Sequence, residues 1–290
     1  MKQISIIIVV KADKGIHDTL ESLYTIPKPN DTEILVIASG GGDLDDILKV
    51  HSKKVRWYDY HPTKKKHTTI PEQRNMGIQK AKGDIIVFID ANCIPQKNWL
   101  KELIHPIIRE HEYIVSGATL SLRGKTHHDS LVERNKNKKY LEECATINLA
   151  FKRVVADVVG PFDEKFDYGS DVDFIWRARE KGYKIRYAPS AIIRHDWGNN
   201  KREVSRSFKY GIARARLYKK HLTRLPDLTG KDLLITCYAL YILFLPITYF
   251  FHYYPLIILI PIIKNWNNHP VGVVVEHLVY ACGFWVGMFI

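Results

Sequence analysis

The chain has 290 residues and a formal charge of +12, with 46% apolar and 11% aromatic residues. That apolar content excludes a disordered chain, and 4 cysteines are too few for a disulfide scaffold. The positive charge calls for an anionic partner, whether nucleic acid, a nucleotide or a membrane leaflet, and only its location along the chain can choose among them.

The chain opens with Met1-Lys2-Gln3 and then Ile4–Val10, a continuous β-branched run that predicts a buried parallel strand. The run meets Lys11 and Asp13 early and has no small-residue cleavage site, so the expected start is a strand on the cytosolic side. A helical stretch follows at Ile16–Tyr24. A second strand, Glu33–Ala38, is ended by Ser39-Gly40-Gly41-Gly42. Next come a helix at Leu44–His51, a weaker alternating strand at Lys54–Tyr58 and a helix at Pro71–Lys82. Pro71 suits a first helical turn, and Glu72 complements the positive end of the helix dipole. Asp84–Ile89 is a third apolar run. This alternation predicts an α/β domain with a parallel sheet. Cys93, Cys144, Cys237 and Cys282 form no CxxC pair, which suits buried or free thiols in a reducing compartment.

Ligands of open α/β sheets bind at the carboxyl ends of the strands. The third apolar run ends in Asp90-Ala91-Asn92. If the strand alternation continues, Asp90 and Asn92 point the same way and can share one Mg²⁺ or Mn²⁺ through oxygen ligands. A strand-end acidic residue is often only a turn or cap residue. In Tyr168-Gly169-Ser170-Asp171-Val172-Asp173, Gly169 allows a sharp turn and Ser170 can cap the next helix. Asp171 and Asp173 then either complement the helix dipole or offer a general base. A short strand ends in His195, a structural residue or a metal ligand. Arg74, near a helix start, suits a phosphate or a base edge.

From Lys201 the texture changes. Lys201–Asp232 carries ten Lys/Arg against three Asp/Glu, most of them on a predicted helix at Lys201–His221. Leu233–Phe251 and Tyr253–Ile263 then have no charge, and Val271–Ile290 has only Glu276 and His277. About 20 apolar residues cross a bilayer, so two spans are expected, at 233–251 (kinked at Pro246) and 271–290. Tyr253–Ile263 is too short to span alone. The basic stretch beside the spans fits the positive-inside rule and an anionic leaflet, and places the preceding domain in the cytoplasm of a multi-pass membrane protein. Because the densest basic stretch abuts these spans, a lipid bilayer explains it with fewer assumptions than nucleic acid. Arg123–Lys139 is also basic, and reads either as a flank of an acceptor cleft or as a solvated loop.

Together these pieces resemble the family 2 glycosyltransferases of GT-A fold over Ile4 to His195. The strongest are EQRNMGIQKAKGDIIVFIDANCIP (Glu72–Pro95) and VGPFDEKFDYGSDVDFIWRAREKGYKIRYAPSAIIRHDW (Val159–Trp197). The resemblance implies a Rossmann-like mixed sheet, a nucleotide-diphosphate sugar donor, a divalent cation (Mn²⁺ or Mg²⁺) and inversion at the anomeric carbon. It implies that Asp90-Ala91-Asn92 is the metal motif and Asp171 the base. It sets Arg74 and Asn75 near the nucleotide, His195 near the metal or diphosphate, and Thr146 and Asn148 at the sugar pocket. Asn92 replaces an acidic residue in the metal motif. The residues after the first two strands, Lys11-Ala12-Asp13-Lys14 and Ala38-Ser39-Gly40-Gly41, also depart from the family pattern, leaving Asp13 and Ser39 as substitutes for base recognition. The expected organisation is a catalytic domain at 1–222 and a membrane region at 223–290, acting on a membrane-associated acceptor. One rival is a catalytically weakened membrane-anchored protein that binds a nucleotide-sugar or a glycan. A second, a nucleotidyltransferase, lacks the expected Gly-rich phosphate loop near the N-terminus.

Overall fold

The computed structural model describes residues 3–62, 70–124, 127–198, 200–264 and 270–290. Lys125 of the basic Arg123–Lys139 stretch falls outside them. The chain divides into two compact units, Met1–Trp197 and Gly198–Ile290.

The first unit contains, in chain order, β1 (Ile4–Lys11), α1 (Ile16–Thr25), β2 (Thr32–Ser39), α2 (Asp43–His51), β3 (Arg56–Asp59), α3 (Ile70–Lys80), β4 (Ile85–Ile89), β5 (Cys93–Pro95), α4 (Trp99–Arg109), β6 (Ile114–Ser121), α5 (His127–Asn135), β7 (Tyr140–Leu141), β8 (Asn148–Lys152), α6 (Arg153–Val159), α7 (Ser170–Glu180) and β9 (Ile185–His195). The sheet runs β3-β2-β1-β4-β8-β6-β9-β5, with β7 on β9. The β3-β2-β1-β4 half is parallel as expected. The sheet as a whole is mixed, because β8 wedges antiparallel between β4 and β6, and β5 runs antiparallel to β9.

β1 shows why the first apolar run is continuous. Ile4, Ile6, Ile8 and Val10 pack on one face with helices α1, α2 and α4, while Ile7 and Val9 pack on the other with Phe88, Phe151, Phe162 and Phe174. A strand covered on both faces has no polar side to offer. Three pairings then define one edge. β4 is parallel to β1, β6 is parallel to β9, and Ile89 of β4 sits opposite Asn148 of β8. The carboxyl ends of β1, β2, β4, β6 and β9 therefore share an edge with the start of β8, and the loop before Asn148 opens onto it.

The second unit holds α8 (Asn200–Lys220), α9 (Leu233–Leu243), α10 (Leu259–Lys264) and α11 (Pro270–Phe289), with 3₁₀ turns at Leu222–Thr229, Leu245–Tyr249 and Tyr254–Ile258. The basic helix α8 lies in the C-terminal of these two compact units. Glycines explain why. A Cβ on Gly211 would stand 2.0 Å from the Tyr280 carbonyl oxygen, and one on Gly283 would stand 2.0 Å from that of Phe208. α8 and α11 therefore touch backbone to backbone. Tyr218 donates to Asp232 at 2.6 Å, and Arg214 Nε lies 3.4 Å from the same carboxylate, which ties α8 to the start of α9. Burial, reinforced by Asp232, pushes the Tyr218 hydroxyl well up from its ordinary range.

The expected span at 233–251 is corrected. α9 has 11 residues and then breaks into 3₁₀ turns around Pro246. At 1.5 Å per residue it covers about 16 Å, half of a hydrocarbon core. Among the described residues one helix, Val271–Phe289, is long and apolar enough to cross a membrane. A multi-pass arrangement is therefore not supported.

Candidate active site

β4 delivers Asp90 to the shared edge. Its carboxylate is half-buried. Burial pushes it up from the ordinary carboxylate range, Asp171 pushes it further, and Arg74 pulls it back. Arg74 and Asp171 therefore both lie within electrostatic reach of Asp90. Arg74 reaches the site from α3, where its side chain is buried. Its Nη1 donates to Ser170 Oγ at 3.1 Å, and its guanidinium lies over the Phe162 ring at 5.4 Å. Its Nε is buried with no partner in the protein. A buried guanidinium N–H without an acceptor is costly unless an anion arrives.

Gly169 caps α7 in the left-handed conformation (φ 80°), so the first helical residues are Ser170 and Asp171. The sequence expectation that Ser170 caps this helix is corrected, because its hydroxyl accepts from Arg74 instead. Asp171 Oδ1 accepts the neighbouring Val172 N–H at 2.9 Å, and its charge reaches both Asp90 and Cys144. Burial first and Asp171 second push the Cys144 thiol well up. Asp173, two residues along and so turned to another face of the helix, is fully buried and paired with Arg177 at 2.9 Å. Arg177 also donates to the carbonyls of Val159 and Pro161, so Asp173 anchors the preceding loop and does not face the site.

The idea that Asp90 and Asn92 share a direction is also corrected. β4 ends at Ile89, and Asn92 is left-handed at φ 64°, so strand alternation does not extend this far. Asn92 Nδ2 donates to Asp13 Oδ2, whose other oxygen accepts the Gly15 N–H at 2.9 Å. A Cβ on Gly15 would stand 1.4 Å from Asn92 Oδ1. Asp13 and Asn92 thus lock the loop after β1 against the end of β4. Ser39 ends β2, is buried, and its carbonyl accepts the Ala12 N–H at 3.0 Å.

Asn75 and Asn148 turn out to hold backbone. Asn75 accepts from the Phe162 N–H at 2.8 Å and donates to the Phe162 carbonyl at 2.9 Å, fastening the loop that leads to Gly169. Asn148 accepts from Trp99 Nε1 and donates to the carbonyls of Ala118 and Ala191 at 2.8 and 2.9 Å. Both of its N–H bonds are taken. Thr146, just before it, is buried with an unpartnered hydroxyl. His195 ends β9 opposite Cys93 and packs edge-on against Trp197, with ring centroids 4.5 Å apart.

The donor set suits a divalent cation held jointly with substrate. Asp90 is a desolvated carboxylate within electrostatic reach of a second one, Asp171, so added positive charge offsets both desolvation and repulsion. Among the described residues no three His, Cys, Asp or Glu side chains converge as a metal cluster. Mg²⁺ and Mn²⁺ tolerate this, since they are commonly held by one or two carboxylates plus substrate phosphates and water.

Sequence reasoning missed the Arg74–Ser170 bond, the Asp13–Asn92 lock and Cys144 beside Asp171. Asp-x-Gly after the first strand was the one available signal for the lock.

Residues 5–163 match the family model described as Glycosyl transferase family 2. The chain is 28% identical over 171 residues to the pre-mycofactocin glycosyltransferase of Mycobacterium tuberculosis, covering 54% of this chain and 36% of that one. It is 28% identical over 131 residues to the glycosyltransferase AglE of Haloferax volcanii, covering 42% of each. The matched stretches thus span about two fifths of those relatives' length. The fold resembles a Pyrobaculum calidifontis mannosyltransferase solved with GDP-Man and Mn²⁺, with a TM-score of 0.72, 14% identity and coverage of 99% of this chain and 87% of that one. It also resembles GalNAc-T7 solved with UDP, GalNAc and Mn²⁺, with a TM-score of 0.57, 16% identity and coverage of 76% and 54%.

Proposed function

The chain belongs to glycosyl transferase family 2 and is a transferase, and on that premise we propose that it moves a sugar, with inversion, from a nucleotide-diphosphate sugar to a membrane-associated acceptor. The observation that supports it is that Arg74 and Asp171 both act electrostatically on Asp90 just past the end of β4, with Arg74 bonded to Ser170 beside Asp171. Asp90, with His195, would hold the divalent cation, which supplies charge to the leaving diphosphate. The buried Arg74, with its unpartnered Nε, adds fixed positive charge at the same place. Asp171 accepts the proton of the acceptor hydroxyl as it attacks the anomeric carbon. An acceptor phosphate, such as a polyprenyl phosphate, is already ionised and would need no such base. Thr146 and Asp13 with Ser39 are proposed to flank the sugar and the base.

A second reading has its own observation. Asn92 supplies an amide where the metal motif has an acidic residue, and its nitrogen is bound to Asp13, which favours a protein that binds a nucleotide-sugar or glycan without turnover. Release of nucleoside diphosphate, measured across a panel of nucleotide-sugars with Mn²⁺, Mg²⁺ or chelator, separates the two. Cation-dependent release is expected. Saturable binding without release from any donor would favour the second reading.

A further inference from the structure

We propose that the cavity lined by Leu131, Cys144 and Trp197 takes the acceptor, and that the acceptor is a neutral hydroxyl on a compact apolar group, not a sugar or a phosphate. This rests on the transfer reading of Arg74, Asp90 and Asp171.

The cavity lies within the first unit and has a volume of about 180 Å³. An apolar cavity of about 150 Å³ is enough for a benzene ring. Leu131 and Val132 of α5, Leu141 of β7 and Ile147 before β8 make its apolar lining. Asp129 Oδ1 accepts the Ser121 N–H at 3.0 Å, which fastens α5 to the end of β6.

Its position suits an acceptor. The charge of Asp171 reaches the thiol of Cys144, and Trp197 stands edge-on to His195 with ring centroids 4.5 Å apart. The cavity thus adjoins one residue within reach of the proposed base and one in contact with the proposed cation ligand.

Its chemistry narrows the class. Three of the polar side chains that line it are engaged with the protein. Glu143 accepts from Trp176 Nε1 at 2.8 Å, Ser116 is hydrogen-bonded to Cys144, and Asn148 donates to the carbonyls of Ala118 and Ala191. A sugar ring would bring several hydroxyls into this space, and each would give up water for little in return.

Charge disfavours a phosphate. No Lys, Arg or His is among the described residues that line the cavity. The charges of Glu143 and Asp171 both reach Cys144, and a phosphate there would meet them without a cation from the lining. A neutral hydroxyl has the opposite need, because it must lose a proton as it attacks. Its oxygen forms the bond to the anomeric carbon and its proton passes to Asp171. The bond from that carbon to the diphosphate oxygen breaks, and the nucleoside diphosphate leaves with the electron pair.

The test uses the full chain and matched small probes. Binding of 4-fluorobenzyl alcohol, read by fluorine NMR line broadening, needs no donor. Saturable binding to the parent is expected, with at least tenfold weaker binding to Leu131→Trp, whose indole fills the cavity from an exposed position on α5. Ala145→Phe, also at an exposed lining position, serves if Leu131→Trp does not fold. No binding, or binding that the filling variant leaves unchanged, overturns the proposal. Transfer is read as nucleoside diphosphate release from the nucleotide-sugar panel with benzyl alcohol, benzyl phosphate or methyl glucoside as acceptor. Benzyl alcohol is expected to raise release at least tenfold more than either of the others. Equal or greater stimulation by benzyl phosphate or methyl glucoside overturns the acceptor class and leaves the transfer reading standing. Binding of the alcohol with no release from any donor defeats the transfer reading, and the acceptor assignment with it.

Discussion

Gly15 and Asn92 occupy each other's space. The Asn92 amide oxygen lies 1.4 Å from where a Cβ on residue 15 would be, and its nitrogen donates to Asp13. Gly15→Ala must push the Asn92 side chain off Asp13. The expected cost is about 1.5–3 kcal/mol, the value of a hydrogen bond to a charged group. Asn92→Ala should cost a similar amount. The double variant should be no worse than Asn92→Ala alone, because both changes remove the same contact. Chemical denaturation of the three variants checks this, and additive losses would refute the shared contact.

Asp171→Asn keeps the shape of the α7 start and removes the proposed base. With a hydroxyl acceptor, turnover should fall about 10²–10⁴-fold while donor binding holds. Near-normal turnover would eliminate the base assignment and point to an acceptor phosphate. Asp173→Asn should instead lower stability by freeing Arg177, and a loss of turnover without a loss of stability would contradict its anchoring role.

Asp90→Asn removes a desolvated charge beside Asp171. The variant without ligand should therefore melt at or above the parent temperature near pH 7.5, while losing the thermal shift produced by Mn²⁺ with nucleoside diphosphate. Thermal melts with and without the cation read both effects. A Mn²⁺ shift that survives the change would remove Asp90 from the cation site.

His51 makes a pH prediction. It is buried, its Nε2 is 3.0 Å from His17 Nδ1, and its Nδ1 is 3.1 Å from the Tyr24 hydroxyl. Burial first and His17 second lower its pKa from 6.5, with Lys54 adding to them and Glu21 opposing. The folded state thus favours neutral His51, and the unfolded chain takes up the proton first. Its contribution is complete above pH 6.5 and is lost as pH falls through the lower folded value. The unfolding free energy should drop on that acid side, and His51→Gln should flatten the slope there. An unchanged slope would remove His51 as its source.

Gly283→Ala places a methyl 2.0 Å from the Phe208 backbone and should loosen the C-terminal unit. Gly272→Ala, on the same helix with nothing within 4 Å, should be neutral or stabilising by up to about 1 kcal/mol through helix propensity. Limited proteolysis of residues 200–290 distinguishes the two.

Local pattern carried much of the first unit. The Ile4–Val10 run, the Gly-rich stop after Ser39 and the apolar strand into Asp90 each announce a strand end, and those ends proved to share one edge. The same local logic failed at Asn92, where a left-handed residue breaks the alternation, and at 233–251, where an apolar run is not one helix. Composition reports how apolar a segment is, but not where its backbone turns.

The residue types of the site (Arg74, Asp90, Asp171) and the α/β character were determined by the sequence itself, because buried strands must be apolar and chemistry needs charge. Only the tertiary structure decided which charges meet. It set β8 antiparallel beside β4, turned Asn75 and Asn148 to holding backbone and Asp173 to holding the Arg177 side chain, and brought Arg74 from α3 onto Ser170 of α7, 96 residues away. Contacts between residues so far apart depend on strand order and loop packing, and no local window of sequence contains either.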